Sequence, residues 1–476
     1  MLAAMPPPAT SPVPTGAASV RDRGDACPGA LRLHRADDGA LARVRIPGGV
    51  LSAAQADVLR ELAERLGDGE LHLTSRGNVQ LRGLRPDCGG ELASRMGESG
   101  LLPSERHERV RNIVASPLSG LDGRGQRDIR PWLSALDELV CASDLTTELS
   151  GRFLFALDDG RGDVDPLGAD VTLLALAGGD AALRIGPAET VLRIPGAHAP
   201  RAALTAAETF LDTARGSGVW RVTELRADGG ILRDQVARRL RQAGVRAAHT
   251  TLRQTGTGAA HTALRQAGIR STRTGGPVRP ARSAAPAPAP GVVDGPYDTV
   301  ALSVGAPLGR LGAEQWRALT RAARQREGGG ELRLTPWRGV VVPGVERARA
   351  AVELAALGAA GLITGPRSPW TGVGACVGRP GCAKSLADVR AGAAAALGPA
   401  GALPVYWSGC ERRCGHPQGT WVDVVAAPDG YRVSLVCDGE RQAPLPVADS
   451  PAALAAAVAA ARGGLDEQRP APRPGT

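Results

Sequence analysis

Aromatic side chains are scarce: 476 residues include seven Trp, three Tyr and three Phe. The core must therefore be built from Leu, Val, Ile and Ala, and a nucleic-acid surface would lack the interleaved aromatics on which bases stack. Lysine is scarcer still. Lys384 is the only copy, so Lys-rich stripes are missing as well. No apolar run approaches the roughly 20 residues of a membrane-crossing helix. The opening stretch, Met1–Ala18, is rich in Pro, Ala and Ser and has no basic segment followed by an apolar one, so it does not read as a secretory signal. The expected compartment is the cytoplasm, with no nucleic-acid and no membrane partner; there, eight Cys read as reduced thiols or metal ligands rather than disulfides.

What is present bounds the class further. Gly (63) and Pro (37) make up about a fifth of the chain, yet 43% of residues are hydrophobic, which excludes a wholly disordered protein. The length suits two to four domains. The net charge is +9, carried almost entirely by Arg, and suits a nucleic acid, an anionic membrane or a polyacidic small ligand. An Arg bias alongside abundant Ala and Gly also fits genome composition, so only the position of each Arg is informative.

The chain is internally duplicated. GELHLTSRGNVQLRGL at 69–84 recurs as GELRLTPWRGVVVPGV at 330–345, and helix-like segments at 51–69 and 311–330 precede the two copies after Pro/Gly turns. Each copy reads as strand, helix, strand: Ala42–Ile46, 52–66 and Leu71–Leu84, then Thr299–Val304, 312–326 and Leu332–Val342. The expected architecture is α+β, with two half domains at 30–103 and 292–365 and larger α/β segments at 104–245 and 366–462 packed about a pseudo-two-fold axis. A leader (1–29), a linker (246–291) and a tail (463–476) read as low-complexity or disordered. A short near-duplicate, AAHTTLRQ (247–254) and AAHTALRQ (259–266), is assigned no chemistry.

Four Cys form two tight pairs, Cys376 and Cys382 in ACVGRPGCAKS and Cys410 and Cys414 in SGCERRCGHP. The pattern C-x5-C, 27 residues, C-x3-C suits two Gly/Pro-rich loops gripping a [4Fe–4S] cube, with nearby Gly letting backbone amides approach sulfide. A zinc site is the competing reading, although zinc modules usually leave two to four residues inside each pair, and unligated thiols are the bland one. Cys27, Cys88, Cys141 and Cys437 are scattered and read as fillers or surface thiols. Arg43, Arg76 and Arg111 lie in motif-like positions, followed by Arg152. As ordinary arginines they would be solvated charges or strand-end ion pairs; gathered, they would form a cationic cleft for a polycarboxylate. His72 falls in a strand; His34, His107 and His198 read as surface residues, and His416 as a loop residue beside the last cluster Cys.

The duplicated unit, RNIVASPLSGLD (111–122) and the cysteine set together resemble the nitrite/sulfite reductase superfamily, whose members carry a [4Fe–4S] cluster beside sirohaem. CVGRPGCAKSLADVR, VYWSGCERRCGHP, LTSRGNVQLRGL and LRLTPWRGVVV are most similar to its precorrin-3B synthase branch. The likeness runs from about 34 to 440 and is weakest over 160–290. It implies a nitrite/sulfite reductase-like fold with two ferredoxin-like half domains. It further implies that Cys376, Cys382, Cys410 and Cys414 hold the cluster, that Cys414 faces the central cavity, and that Arg43, Arg76 and Arg111 bind tetrapyrrole carboxylates. Where the reductases carry two lysines, LSGRFLF keeps Arg152 and has Leu154 at the second position, which disfavours sulfite or nitrite reduction by a sirohaem enzyme, the alternative. The implied reaction is oxygen-dependent conversion of precorrin-3A to precorrin-3B, a C20 hydroxylation with lactone formation by the ring A acetate. Implied partners and cofactors are O₂, NADH used directly or through a separate reductase, and a mononuclear non-haem iron, for which no two-His-one-carboxylate spacing is visible. No G-x-G-x-x-G lies between a strand and a helix, so the separate reductase is favoured.

Overall fold

The computed structural model describes residue 25 and residues 27–463 apart from 226–228, 253–286, 297, 325–329, 418 and 438. Most of the leader, the second near-duplicate, most of the linker and all but the first residue of the tail lie outside the described residues.

Each half domain is built on a helix whose apolar residues recur at three- and four-residue intervals. In Ala53–Leu66 the buried side is Ala53, Ala56, Leu59, Leu62, Ala63 and Leu66. Ser52 caps it: its hydroxyl accepts from Gln55 N–H while the Gln55 side chain accepts from Ser52 N–H, both at 3.1 Å. The repeat reproduces half of this device before helix Ala313–Arg324, where Gly312 N–H donates to Gln315 Oε1 at 2.9 Å. The two helices share one core, and Trp316, fully buried, donates its indole N–H to the Ala56 carbonyl at 2.5 Å.

The strand expected over Leu71–Leu84 is two strands, Leu71–Leu73 and Val79–Leu84, and its repeat is likewise Glu331–Leu334 and Gly339–Glu346. Tight turns break them, with Gly77 at φ 65° and its repeat mate Arg338 at φ 58°. Only a left-handed residue lets the chain reverse within five residues, Thr74–Asn78 and Thr335–Gly339. Both turns line one cavity.

The halves exchange strands. Val50–Ser52, just after the Pro47–Gly49 turn, pairs with Glu331–Arg333 in the sheet of the second half. Reciprocally, Arg310–Leu311, after Pro307–Gly309, pairs with Leu71–His72 in the sheet of the first. Each five-stranded sheet is thus completed by its counterpart. The approach is close: a Cβ on Gly49, at φ 72°, would lie 2.0 Å from the Leu334 carbonyl oxygen.

The larger segments also repeat one plan. Parallel strands Ile113–Ala115, Phe155–Asp158 and Val171–Ala175 continue antiparallel through Asp180–Ile185 and Thr190–Pro195. Parallel strands Val373–Ala375, Val405–Ser408 and Trp421–Ala427 continue antiparallel through Gly430–Cys437. Helices pack on each sheet around separate cores. The expected linker (246–291) is corrected at its start by a strand, and at its end by Gly291 alone. Ala248–Thr251 pairs with Thr190–Arg193, and Gly291–Val293 with Ala301–Ser303, because edge backbone gains a ladder there.

Gly49→Ala is expected to lower the melting temperature by far more than Gly69→Ala. Gly69 shares a positive φ (80°), but a Cβ added there would meet nothing within 4 Å, so it isolates backbone strain, worth upward of ~1 kcal/mol, from the clash at the strand exchange. Thermal unfolding followed by circular dichroism checks this.

Candidate functional site

The two cysteine pairs lie where the second parallel sheet ends. Cys376 follows strand Val373–Ala375, and Cys410 follows Val405–Ser408 after one glycine, so both loops leave the carboxyl ends of adjacent parallel strands, where α/β sheets bind ligands. Gly409 N–H donates to Cys376 Sγ at 3.2 Å. The Cys382 loop is fastened to the same place: Leu386 N–H donates to the Gly409 carbonyl at 2.8 Å, and Gly409 presses so closely on Ser385 that no side chain would fit. From the first half domain, Arg82 holds Asp38 by two hydrogen bonds (2.9 and 2.8 Å) and donates to the Gly381 carbonyl at 3.2 Å, while Asp37 accepts from Ala383 N–H at 2.5 Å. Cys414 is exposed; its carbonyl accepts the Tyr406 hydroxyl at 2.7 Å.

The thiols sense one another. Burial pushes Cys376 up, the Gly409 and Gly378 amides pull it down, and the charges of Cys410 and Cys414 push it up again. Sulfurs that would repel one another if ionised, beside inward-facing amides, are a donor set suited to a cationic inorganic body. Among the described residues no three cysteine sulfurs lie within 4.8 Å of one another, as ligands of a single tetrahedral ion would.

Beside this corner lies a cavity of about 610 Å³, within the ~300–1,000 Å³ of small-molecule sites. Both repeat turns line it (Ser75 and Arg76; Thr335–Gly339), as do Tyr406 and the residues after Cys414, Gly415–Pro417. Arg338 donates to the Gly415 carbonyl at 3.2 Å and sits 5.8 Å from the Tyr406 ring centroid. His416, expected as a plain loop residue, stacks on Trp421 at 5.3 Å in the cavity wall. A shallower depression around Asp212 and Arg239 contains none of the motif residues.

The four predicted arginines separate. Arg76 lines the cavity, and its guanidinium makes no hydrogen bond or ion pair among the described residues. Burial first, then the positive charges of Arg221 and Arg43, pull it down to about 10. Arg43 lies behind it, donating to Cys27 Sγ at 3.5 Å, and burial lowers it too. Arg152 is exposed and stacks over Trp220 at 4.6 Å. Arg111 is a correction: its Nε and Nη2 hold Asp137 at 2.8 and 2.6 Å and its Nη1 donates to the Leu101 carbonyl, leaving no fork for a ligand. A strand-end ion pair and a ligand-binding Arg look alike in sequence.

Sequence reasoning misses other residues. Arg45, 3% exposed, donates to Cys27 Sγ at 3.2 Å and to the Gly151 carbonyl at 3.0 Å, and its Nη1 is buried without a partner. Cys27 is therefore a hydrogen-bonded member of the cationic cluster rather than an apolar filler. Arg338 and Trp337 are foreshadowed by the repeat, since Trp337 is the mate of Arg76. His107, expected at the surface, is buried between Ser104 and the Ser143 carbonyl. Among the described residues the one compact group of metal-ligating type is Asp68, Glu70 and His72. It has one His rather than two, Asp68 is 3.0 Å from His72 Nε2, and Glu70 is bound by Arg310, so it is an ion-pair network.

Comparison with known proteins agrees with this architecture. The nitrite/sulfite reductase ferredoxin-like half domain matches twice, over residues 33–98 and 295–360. The chain thus carries two copies of the half domain found in nitrite/sulfite reductases, and the relatives it matches are oxidoreductases. Over 88% of its length it is 28% identical to a Sinorhizobium protein named precorrin-3B synthase, of which it covers 83%. It is 35% identical to a ferredoxin–nitrite reductase of Synechococcus elongatus, over 25% of each chain. The structure of the Mycobacterium tuberculosis NirA protein superposes with a TM-score of 0.59 at 18% identity, covering 86% of this chain and 77% of that one, and shows a shared fold.

Arg111→Ala is expected to cost on the order of 3 kcal/mol of stability by stranding Asp137. Arg76→Ala is expected to cost far less than Arg111→Ala, since it removes no hydrogen bond or ion pair among the described residues and relieves repulsion from Arg221 and Arg43. Denaturant titration of the two variants separates a structural arginine from a binding one.

Proposed function

We propose that the protein is a precorrin-3B synthase-like monooxygenase of aerobic cobalamin synthesis. It would convert precorrin-3A to precorrin-3B by O₂-dependent C20 hydroxylation and closure of the ring A acetate into a lactone. The observation that carries this reading is the Arg76 guanidinium, which has no hydrogen bond or ion pair among the described residues, lines a cavity between the two halves and has Arg43 and Arg221 nearby. A carboxylate-rich macrocycle supplies the anions that this cluster lacks. The similarity to precorrin-3B synthase along most of both chains supports the same substrate class.

Arg76 and Arg338 would hold substrate carboxylates and so fix which edge of the macrocycle faces the Cys414 loop, an orientation effect. Trp337 and the apolar wall of Leu154, Pro166 and Leu167 would cover its face and exclude water. Leu154, 3% exposed, lines the cavity with a side chain that brings no charge for a small anion to meet, which weighs against sulfite or nitrite. Cys376, Cys382, Cys410 and Cys414 would hold a [4Fe–4S] cluster, which supplies one-electron transfer when bound. NADH would be the electron source, directly or through a separate reductase, and a mononuclear non-haem iron is a further expected cofactor.

Anaerobically purified protein is expected to contain iron and acid-labile sulfide, which Cys414→Ser loses and Cys141→Ser keeps. Protein without labile sulfide would refute the assignment. Arg76→Ala is expected to weaken precorrin-3A binding by roughly tenfold or more, since a charge-assisted pair is worth about 1.5–3 kcal/mol. Strong visible bands from an extractable sirohaem would instead favour a sulfite or nitrite reductase.

A further inference from the structure

The pseudo-symmetry that places Cys376 and Cys410 at two strand ends also defines their mates in the first large segment. Strand Ile113–Ala115 matches Val373–Ala375 and Phe155–Asp158 matches Val405–Ser408, which sets Ser116 against Cys376 and Asp159 against Gly409. One hydrogen bond is common to both: Gly409 N–H donates to Cys376 Sγ at 3.2 Å, and Asp159 N–H donates to Ser116 Oγ at 3.1 Å. The mate of the Cys410–Cys414 loop carries Asp163.

Asp163 is 6% exposed and lines the cavity. Ser116 donates to its Oδ1 at 2.5 Å. The other oxygen makes no hydrogen bond among the described residues, and its nearest cation, Arg161 Nε, is 3.9 Å away. Arg161 is committed to Asp159 and Asp122. The loop is rigid, because Asp158 accepts from the backbone N–H groups of Gly160, Gly162, Val164 and Asp165 at 2.9 to 3.2 Å. Burial first, then the charge of Asp158, pushes the Asp163 carboxyl up to about 7, against the pull of Ser116 and Arg161.

We propose that Asp163 is a ligand-recognition residue of the cavity, a protonated carboxyl that donates a hydrogen bond to an oxygen of the bound tetrapyrrole. This rests on the tetrapyrrole reading and adds a residue to it. With Oδ1 accepting from Ser116, the proton sits on Oδ2, and no covalent bond is made or broken. An ionised Asp163 would repel a polycarboxylate, so binding takes up one proton once the free protein has lost it. The other groups facing the same space are Arg76 and Arg338 from the two turns, Tyr406, and His416; the Asp163 variant leaves all of them in place.

The test uses the full chain and uroporphyrin III, an octacarboxylate tetrapyrrole, with dissociation constants measured from pH 6 to 9. Native affinity is expected to fall above pH 7 with a slope approaching tenfold per pH unit, because the folded protein must then regain a proton on binding. Asp163→Asn, which keeps a donor, is expected to lose that component of the slope. Ser116→Ala is expected to shift the break to higher pH, since the hydroxyl favours the ionised carboxyl. A bound probe with an unchanged slope in Asp163→Asn, or an unmoved break in Ser116→Ala, overturns the role of Asp163 alone. Failure of the native protein to bind the probe, or equal binding by Arg76→Ala, overturns the tetrapyrrole reading and the proposed ligand with it. Without ligand, an infrared band of a protonated carboxyl at pH 6 that Asp163→Asn removes is expected, and its absence overturns the proposal.

Discussion

The reciprocal exchange of two short strands is the constraint on which the rest depends. Val50–Ser52 completes the second half's sheet and Arg310–Leu311 the first half's, so neither sheet is whole without the other. The exchanged backbone leaves no room for a side chain where Gly49 meets Leu334. Adjoining each exchanged strand is a strand that ends in a tight turn, Thr74–Asn78 or Thr335–Gly339. The same pairing that joins the halves therefore brings Arg76 and Trp337 to one cavity from distant parts of the chain. A site made this way is as rigid as the core beneath it, because moving either turn would unpair a ladder.

Charge is distributed along the same symmetry. One large segment gathers thiols around inward-facing amides; its mate presents a hydroxyl held by the equivalent backbone hydrogen bond, and that hydroxyl in turn donates to a carboxyl. Between them, cations are packed with too few anions. Among the described residues Arg45 keeps a buried nitrogen without a partner; Arg43 and Arg76 lower its proton affinity, and Arg43 and Arg221 lower that of Arg76. Such frustration is costly in an empty protein and is relieved by an anionic ligand, the usual sign of a binding site rather than a stabilising device.

The sequence expectations divide by whether local pattern or spatial partner decides. Helices 53–66 and 313–324 are legible because their buried positions repeat at helical spacing. The long strand expected over 71–84 is broken by a turn whose signal, Ser-Arg-Gly-Asn, is present but coincides with a motif. Arg111 and Arg76 both stand beside a polar residue in motifs, Asn112 and Ser75; only Asp137, 26 positions from Arg111, makes one of them structural. His107 and Cys27 look bland in sequence because nothing local places Ser143, or Arg43 and Arg45, beside them.

By itself the chain's order of residues determined the duplication, the α+β alternation, the two cysteine pairs and the superfamily they resemble, since all of these are properties of spacing and local periodicity. Tertiary structure alone decided that Arg111 is paired while Arg76, among the described residues, is not, that His107 is buried, and that Ser116 and Asp163 lie at positions equivalent to the cysteine loops. Those outcomes depend on long-range neighbours, and electrostatic and hydrogen-bonding partners are fixed by distance in space rather than by separation along the chain.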